Sequence, residues 1–176
     1  MRDSVLLRNL KWEKSNIAPE QRAEKYNQRA ALVLITGPKG LGRKTVAKAL
    51  EAKLFESGKL VYYLALGSVV YGVDADIKGH ASAAERQEHM RRLAEIANIL
   101  LDAGVILIVT AIELTQADLE IIQTAVDSAR IETVWIGEAV TTDLAVSAQL
   151  PDGEQAEASA LQIKRRLQDR GDIFIP

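Results

Sequence analysis

A cluster of glycine and basic residues between positions 37 and 45 has the composition of a phosphate-binding loop. It reads Gly37-Pro-Lys-Gly40-Leu-Gly42-Arg43-Lys44-Thr45. Glycines let the backbone turn with positive φ and bring its N–H groups toward an anion, and the N-terminus of a following helix adds positive potential. We therefore expect phosphate contacts from Gly37, Lys39, Gly40, Leu41, Gly42, Arg43, Lys44 and Thr45.

Two positions depart from the usual P-loop pattern, G-x-x-x-x-G-K-[ST]. Arg43 stands where the phosphate-reaching lysine belongs, and Lys44 stands where a Ser or Thr hydroxyl ligates Mg²⁺. ATP or another nucleotide is still the expected ligand, but a Mg²⁺ site is not expected, because Lys44 places a positive charge there. Shifting the motif by one residue, to Lys44-Thr45, would misplace the second glycine. The alternative is a turn that binds only adventitious anions.

Short apolar runs alternate with amphipathic stretches, which is typical of a parallel sheet covered by helices. Buried strands are predicted at residues 31–36 and 60–66, and further strands at 105–111 and 133–136. Helices are predicted at 19–26, 45–57, 83–102, 115–128 (with Thr115 as N-cap) and 154–170, a polar loop at 67–82 and a turn at 149–153. The predicted fold class is α/β, a P-loop NTPase-type three-layer αβα sandwich with a mostly parallel sheet. Residues 1–30 are assigned to an N-terminal helical extension and 31–176 to the P-loop domain.

Composition argues against several classes of function. The 176 residues include 24 acidic and 22 basic side chains, and the net charge of −2 provides no basic field for nucleic acid. The lack of cysteine excludes disulfides and thiolate metal sites, and two histidines, His80 and His89, make a zinc site unexpected. Without a membrane-length apolar run or a signal peptide, a cytoplasmic protein with no membrane or nucleic-acid partner is expected.

Several segments, in the same order along the chain, are similar to those of one enzyme family. They are Asn9-Leu-Lys-Trp12 with Pro19-Glu-Gln-Arg22, the glycine-rich loop, Gly58-Lys-Leu-Val-Tyr-Tyr-Leu64, Glu85-Arg-Gln-Glu-His-Met-Arg-Arg-Leu-Ala-Glu95 and Asp102-Ala-Gly-Val-Ile-Leu-Ile-Val-Thr110. Together they resemble the adenylyl-sulfate (APS) kinases, which use ATP to phosphorylate the 3′-hydroxyl of APS in sulfate activation. The resemblance implies a nucleotide or phosphosulfate ligand, a sulfurylase-type partner domain, a homodimer with Trp12 in its interface, and substrate binding by Arg86 and by His89, which replaces the family's Asn.

The residues that differ from the family pattern are those that carry out the family's reaction. The family's second strand ends in Asp-Gly-Asp-Asn-x-Arg, in which the first Asp contacts the attacking hydroxyl, the second helps to organise Mg²⁺, and the Arg binds APS. Ala65 and Gly67 occupy the two Asp positions here, so no catalytic carboxylate is retained there. The Ser-Pro-Tyr after the third strand becomes Glu113-Leu-Thr115, although Asp118 matches a family Asp. The basic lid after the fourth strand has no counterpart.

Three functions follow as hypotheses. The first is an APS-kinase-like P-loop domain, linked to sulfate activation and assimilation, that is catalytically impaired and acts as a nucleotide-binding or regulatory domain. The alternative is an active ATP-dependent kinase that forms PAPS from APS, or phosphorylates another small alcohol, with Glu113 as the base. The third is a plain interaction domain with an empty loop.

Several charged residues also have a structural interpretation. Arg86 can pair with Glu85 or Glu88 instead of a ligand, and Arg91 with Glu95. Structural roles are also expected elsewhere: an exposed helix position for His89, turn caps for Asp74 and Asp76, and core packing for Trp135.

Overall fold

The computed structural model, which describes residues 2–77 and 82–174, contains a five-stranded sheet between two layers of helices. The strands are β1 (Ala31–Gly37), β2 (Val61–Ala65), β3 (Ile106–Ile112), β4 (Ile131–Ile136) and β5 (Ala148–Leu150). The helices are α1 (Arg2–Lys11), α2 (Pro19–Tyr26), α3 (Arg43–Glu56), α4 (Leu66–Tyr71), α5 (Ala83–Asp102), α6 (Gln116–Gln123) and α7 (Ala156–Asp169). The strand order is β2-β3-β1-β4-β5 and every pairing is parallel. The predicted fold class is confirmed.

β1 is the central strand, and all of its residues are buried, as the sequence predicted. Its register places Ile35 beside Thr110 of β3 and Val134 of β4. Because the carboxyl ends of parallel strands lie at the same edge of a sheet, the ends of β1, β3 and β4 meet there. The glycine-rich loop that follows β1 therefore lies at the centre of this edge.

Alternate residues of β1 contribute to two hydrophobic cores, one on each face of the sheet. Val33 and Ile35 pack with apolar side chains of α3 and α7. Leu32 and Leu34 pack on the other face with side chains of α5 and α6 and with Trp135, which is fully buried as predicted. Within the described residues, no helix is both long and apolar enough to cross a membrane.

Two predictions at the edges of the sheet are wrong. β2 was predicted as a buried strand, but among the described strands it pairs only with β3, at the edge of the sheet, and its Tyr62 is 55% exposed. An apolar run does not reveal how many neighbours a strand has. The predicted turn at 149–153 overlaps β5, which is too short for a periodic signal and is identified only by its pairing with β4, for instance between Gln149 and Trp135.

The helices show similar partial agreement. The predicted polar loop at 67–82 begins within α4, whose Val69 packs into the core beside α5; residues 78–81, including His80, lie outside the described part of the chain. α1 lies within the predicted helical extension of residues 1–30 but was not predicted as a separate helix, and α6 ends at Gln123 rather than at 128. The predicted cap is confirmed, since the Thr115 side chain accepts a hydrogen bond from the Asp118 N–H.

The buried side chain of Gln28 links the segment before β1 to two other parts of the chain. Its Nε2 donates to the carbonyls of Leu60 and Gly104, at 2.8 and 2.9 Å, and its Oε1 accepts from the Leu60 N–H at 2.9 Å. These three hydrogen bonds satisfy backbone groups at the start of β2 and before β3. Gln28 therefore fixes the amino end of the sheet.

Replacing Gln28 with alanine should destabilise the domain. The substitution removes the partner of the Leu60 N–H and of the Gly104 carbonyl, while the Leu60 carbonyl still accepts from the Ile106 N–H. Leaving these two groups unpaired costs about 2–4 kcal/mol in the free energy of unfolding. We expect a lower urea midpoint at an unchanged m value. The control is Gln87→Ala at an exposed position of α5, with an expected change below about 0.5 kcal/mol. Equal losses in the two variants would contradict the role assigned to Gln28.

Candidate functional site

The loop between β1 and α3 turns through three glycines in left-handed or otherwise positive-φ conformations. Gly37, Gly40 and Gly42 have φ values of 144°, 86° and 82°. A Cβ at Gly37 would lie 2.3 Å from the carbonyl oxygen of Ile136, so no side chain fits where β1 approaches β4. A Cβ at Gly40 would meet nothing within 4 Å, so this part of the loop is open. The loop thus has the backbone geometry that the sequence predicted.

The N-terminus of α3 is available to an anion. Its N-cap is Gly42, which provides no side chain to cap the first amides, and the first turn contains no acidic residue. The amides and the helix dipole therefore favour a phosphate at this position. Asp152 and Glu154 line a depression of about 270 Å³ beside residues 40–42 and add negative charge at its rim.

Arg43 is the basic residue of the loop that points into the protein. It is 7% exposed, and its Nε has no hydrogen-bond partner. Burial lowers the pKa of Arg43, while the charges of Tyr63 and Glu113 oppose this shift. Its guanidinium therefore lies near the ends of β2 and β3, with a buried donor that has no partner. In contrast, Lys39, Lys44 and Thr45 are exposed, and their contact with phosphate stays a prediction.

Glu113 follows β3 and lies next to the loop. Its backbone has φ of 41°, a conformation that non-glycine residues rarely adopt. Its N–H donates to the carbonyl oxygen of Gly37 at 3.1 Å, and its Oε1 accepts a hydrogen bond from the hydroxyl of Thr141 at 2.6 Å. The structure thus brings this candidate base to the same strand edge as Arg43.

Arg86 pairs with Asp118, and neither of the predicted partners, Glu85 and Glu88, is bonded to it in the described contacts. Its Nε and Nη2 donate to the Asp118 carboxylate at 2.7 to 3.2 Å. Burial alone would raise the pKa of Asp118, but the hydrogen bonds from Arg86 and Thr115 outweigh it and hold this pKa below its ordinary value. The hydrogen bond to Asp118 raises the pKa of Arg86, so both groups stay charged. The sequence contained one indication of the Arg86–Asp118 pair, which is that Asp118 matches an Asp of the adenylyl-sulfate kinases.

His89 is buried, which contradicts its predicted exposed position. It is 5% exposed, and its Nδ1 lies 2.6 Å from Oδ2 of the buried Asp74. Asp76 bonds to Arg92 at 3.0 Å, so both aspartates fix the segment after α4 to α5. The periodicity of α5 did not reveal this, because the buried partner of His89, Asp74, comes from the segment after α4. Its role in substrate binding stays a prediction.

Another predicted ion pair is also wrong. Arg91 bonds to Glu88, at 2.8 Å, rather than to Glu95. Glu95 is instead paired with Arg8 of α1, at 3.1 Å. α1 was not predicted, so this competing partner was not available to the sequence argument.

The residues near the loop do not fit a Mg²⁺ ion. Ala65 ends β2 and Gly67 lies in α4, so no carboxylate stands at these two positions. Lys44 carries a cation where a hydroxyl ligand would be needed. Among residues 2–77 and 82–174, no group of three or more His, Asp or Glu side chains could hold a metal. The arrangement can bind an anion, but Ala65, Gly67 and Lys44 offer no side-chain oxygen to a hard cation at these three positions.

Residues 141–145, here called the strap, lie over the turn after β3. Thr142 donates to the Leu114 carbonyl at 2.7 Å, the Gln116 N–H donates to Asp143 at 2.9 Å, and the Ala145 N–H donates to the Gln116 side chain at 3.0 Å. Leu144 is 5% exposed. The sequence predicted only that a basic lid is missing here; it did not predict a segment fixed to the strand edge.

Comparison with known proteins places this arrangement in one family. The family model described as adenylylsulphate kinase matches residues 29–164. An adenylyl-sulfate kinase of Clostridium acetobutylicum is 39% identical over 104 residues, which are 59% of this chain and 51% of that protein. An adenylyl-sulfate kinase of Escherichia coli is 31% identical over 157 residues, which are 89% of this chain and 75% of that protein.

The solved structures agree with the sequence comparison. A mutant form of the APS kinase of Mycobacterium tuberculosis has a TM-score of 0.69 to this chain at 26% identity. The same kinase in complex with AMPPNP and APS has a TM-score of 0.67 at 22% identity. Each match covers 80% of this chain and 99% of the other. Because the family model spans most of the chain and the Escherichia coli relative matches over three quarters of its own length, this protein belongs to the adenylylsulphate kinase family.

Proposed function

We propose that this chain is a nucleotide-binding or phosphosulfate-binding domain of sulfate activation that no longer transfers phosphate efficiently and acts as a regulatory domain. Membership of the family supports the ligand class. We infer the loss of catalysis from the end of β2, where Ala65 and Gly67 occupy the positions of the family's two carboxylates. Phosphoryl transfer depends on positioning and on neutralisation of charge by a metal, and removing one such group costs about two orders of magnitude or more.

Ligand binding in this proposal does not depend on Mg²⁺. The three glycines and the amides of α3 cradle a phosphate, and Arg43 contributes a buried positive charge with an unsatisfied Nε. Lys44 adds a cation where the metal would be bound. These fixed positive groups replace the charge neutralisation that Mg²⁺ provides in the usual P-loop.

The second candidate function is an active kinase that forms PAPS from APS or phosphorylates another small alcohol. The observation that favours it is Glu113, a carboxylate at the end of β3 whose charge lies near both Arg43 and Arg86. In this function Glu113 is the base for the attacking hydroxyl. The complex of the Mycobacterium tuberculosis APS kinase with AMPPNP and APS supports a nucleotide and APS as ligands in either case.

The proposed setting is a cytoplasmic homodimer that acts beside a sulfurylase-type partner. α1 supports the dimer, because Leu6, Leu7 and Leu10 lie on one of its faces and are 60%, 53% and 83% exposed. Trp12 is 39% exposed and stacks with Arg8, whose Cζ lies 5.8 Å from the ring centroid. Burial of these side chains against a second copy would remove apolar area from water.

The purified chain should form PAPS from ATP and APS at a rate at least about 10⁴-fold below that of an active APS kinase assayed in parallel, because both carboxylates at the end of β2 are missing. A coupled assay of ADP release checks this. A rate near that of the active enzyme would refute the proposal. In that case, loss of activity in Glu113→Gln would identify the base, and unchanged activity would remove Glu113 from that role.

Nucleotide binding should be nearly the same in EDTA and in excess Mg²⁺, and it should require Arg43. Replacing Arg43 with glutamine removes a charged donor and should weaken ADP binding about tenfold or more, measured by calorimetry. Lys48→Gln removes the same charge from an exposed position of α3 and should change the affinity less than about twofold. Binding that requires Mg²⁺ would favour the kinase, and the absence of all binding would favour an interaction domain.

The chain should be a dimer in light-scattering measurements at micromolar concentration, and Leu7→Ser combined with Leu10→Ser should convert it to a monomer with unchanged circular dichroism. The physical reason is that the apolar face of α1 no longer has hydrophobic area to bury. Ile99→Ser, at another exposed apolar position, is the control and should leave the mass unchanged. A monomeric wild-type chain would refute the proposed dimer.

A further inference from the structure

The backbone of Glu113 is held in an unfavourable conformation beside the phosphate loop. Asn27 and Glu113 are the non-glycine residues with positive φ in the described chain. Asn27 has a structural explanation, since it closes α2 as a left-handed cap. Glu113 closes no helix, and the left-handed region is costly for a residue of this type. Such strain is concentrated at functional positions, which suggests a function for Glu113.

Contacts from three directions hold Glu113 in place. Its N–H donates to the carbonyl of Gly37, which fixes its backbone to the first glycine of the loop. Its Oε1 accepts the hydroxyl hydrogen of Thr141, the first residue of the strap, which fixes its side chain. Its carboxylate interacts with Arg43 and Arg86 through charge rather than through a hydrogen bond. The Glu113 carboxylate is therefore held beside the loop, bonded to Thr141 and within electrostatic range of both arginines.

The position of Arg43 indicates which group of a nucleotide the Glu113 carboxylate resembles. In a P-loop, the loop amides hold the inner phosphates, and the basic residue at this position reaches the outer ones. Here the negative charge of Glu113 lies near Arg43. Arg43 is 7% exposed and its Nε has no hydrogen-bond partner, so its positive charge is held within the protein, where Glu113 supplies the negative charge that an outer phosphate would bring to it.

We propose that the Glu113 carboxylate takes the place of a terminal phosphate, so that the loop selects a nucleoside diphosphate over a nucleoside triphosphate. This inference rests on the proposed nucleotide binding and specifies which class of nucleotide is bound. A third phosphate would bring further negative charge next to Glu113, and Lys44 replaces the ligand of the Mg²⁺ ion that would neutralise it. Asp152 and Glu154, beside the loop glycines, increase the same repulsion.

Calorimetric titration of the full chain with ADP and with ATP, each in EDTA, tests the selectivity. The wild type should bind ADP about tenfold more tightly than ATP, the size expected for one additional charge repelled in a partly exposed site. Glu113→Gln keeps the shape and removes the charge, so the two affinities should become equal within about twofold. Glu113→Asn should behave in the same way, because it also removes the charge. Asparagine tolerates the left-handed backbone, so this variant is expected to fold.

Glu138→Gln is the matched control. It removes the same charge from an exposed position after β4, and the preference for ADP should be unchanged. Wild-type affinity for ATP equal to or greater than that for ADP would overturn the inference while leaving nucleotide binding intact. A preference that persists in both folded Glu113 variants would also overturn it. If the wild type bound neither nucleotide, the proposed function itself would fail, and the selectivity would fail with it.

Discussion

The close approach of β1 and β4 at Gly37 is the constraint on which the site depends. The Ile136 carbonyl leaves no room for a Cβ at this residue, and the Gly37 carbonyl accepts the N–H of Glu113. One glycine therefore joins the ends of β1, β3 and β4. The start of α3, the open face of the loop and the strained backbone of Glu113 all take their positions from this junction. A larger residue there would separate the central strands, so the requirements of the sheet and of the site coincide.

Charged side chains of both signs surround this junction. Arg43 and Arg86 provide positive charge, and the protein supplies carboxylates of its own, since Asp118 is bonded to Arg86 and the charge of Glu113 lies near both arginines. Phosphoryl transfer would also need a metal and an oriented nucleophile, and Lys44 and Ala65 stand where their ligands would be.

The strap gives this strand edge a fixed boundary. Its hydrogen bonds to the turn after β3, together with the buried Leu144, attach it over the residues that follow Glu113. Kinases exclude water by closing a mobile cover over the substrate, and a segment held by several hydrogen bonds closes less readily. The strap therefore limits the movement of the segment that follows β4 relative to this strand edge.

The sequence by itself determined the features that depend on neighbouring residues. Apolar runs identified β1 and β3, the period of four identified α3, and the glycines at 37, 40 and 42 identified the loop, because each of these signals is local. The burial of His89, the edge position of β2 and the short strand β5 could not be read in this way. Arg86 had two local acidic neighbours and bonded to Asp118, which lies 32 positions away. The tertiary structure decided these features, because which partner a buried charge or a short strand finds depends on distant segments that only folding brings together.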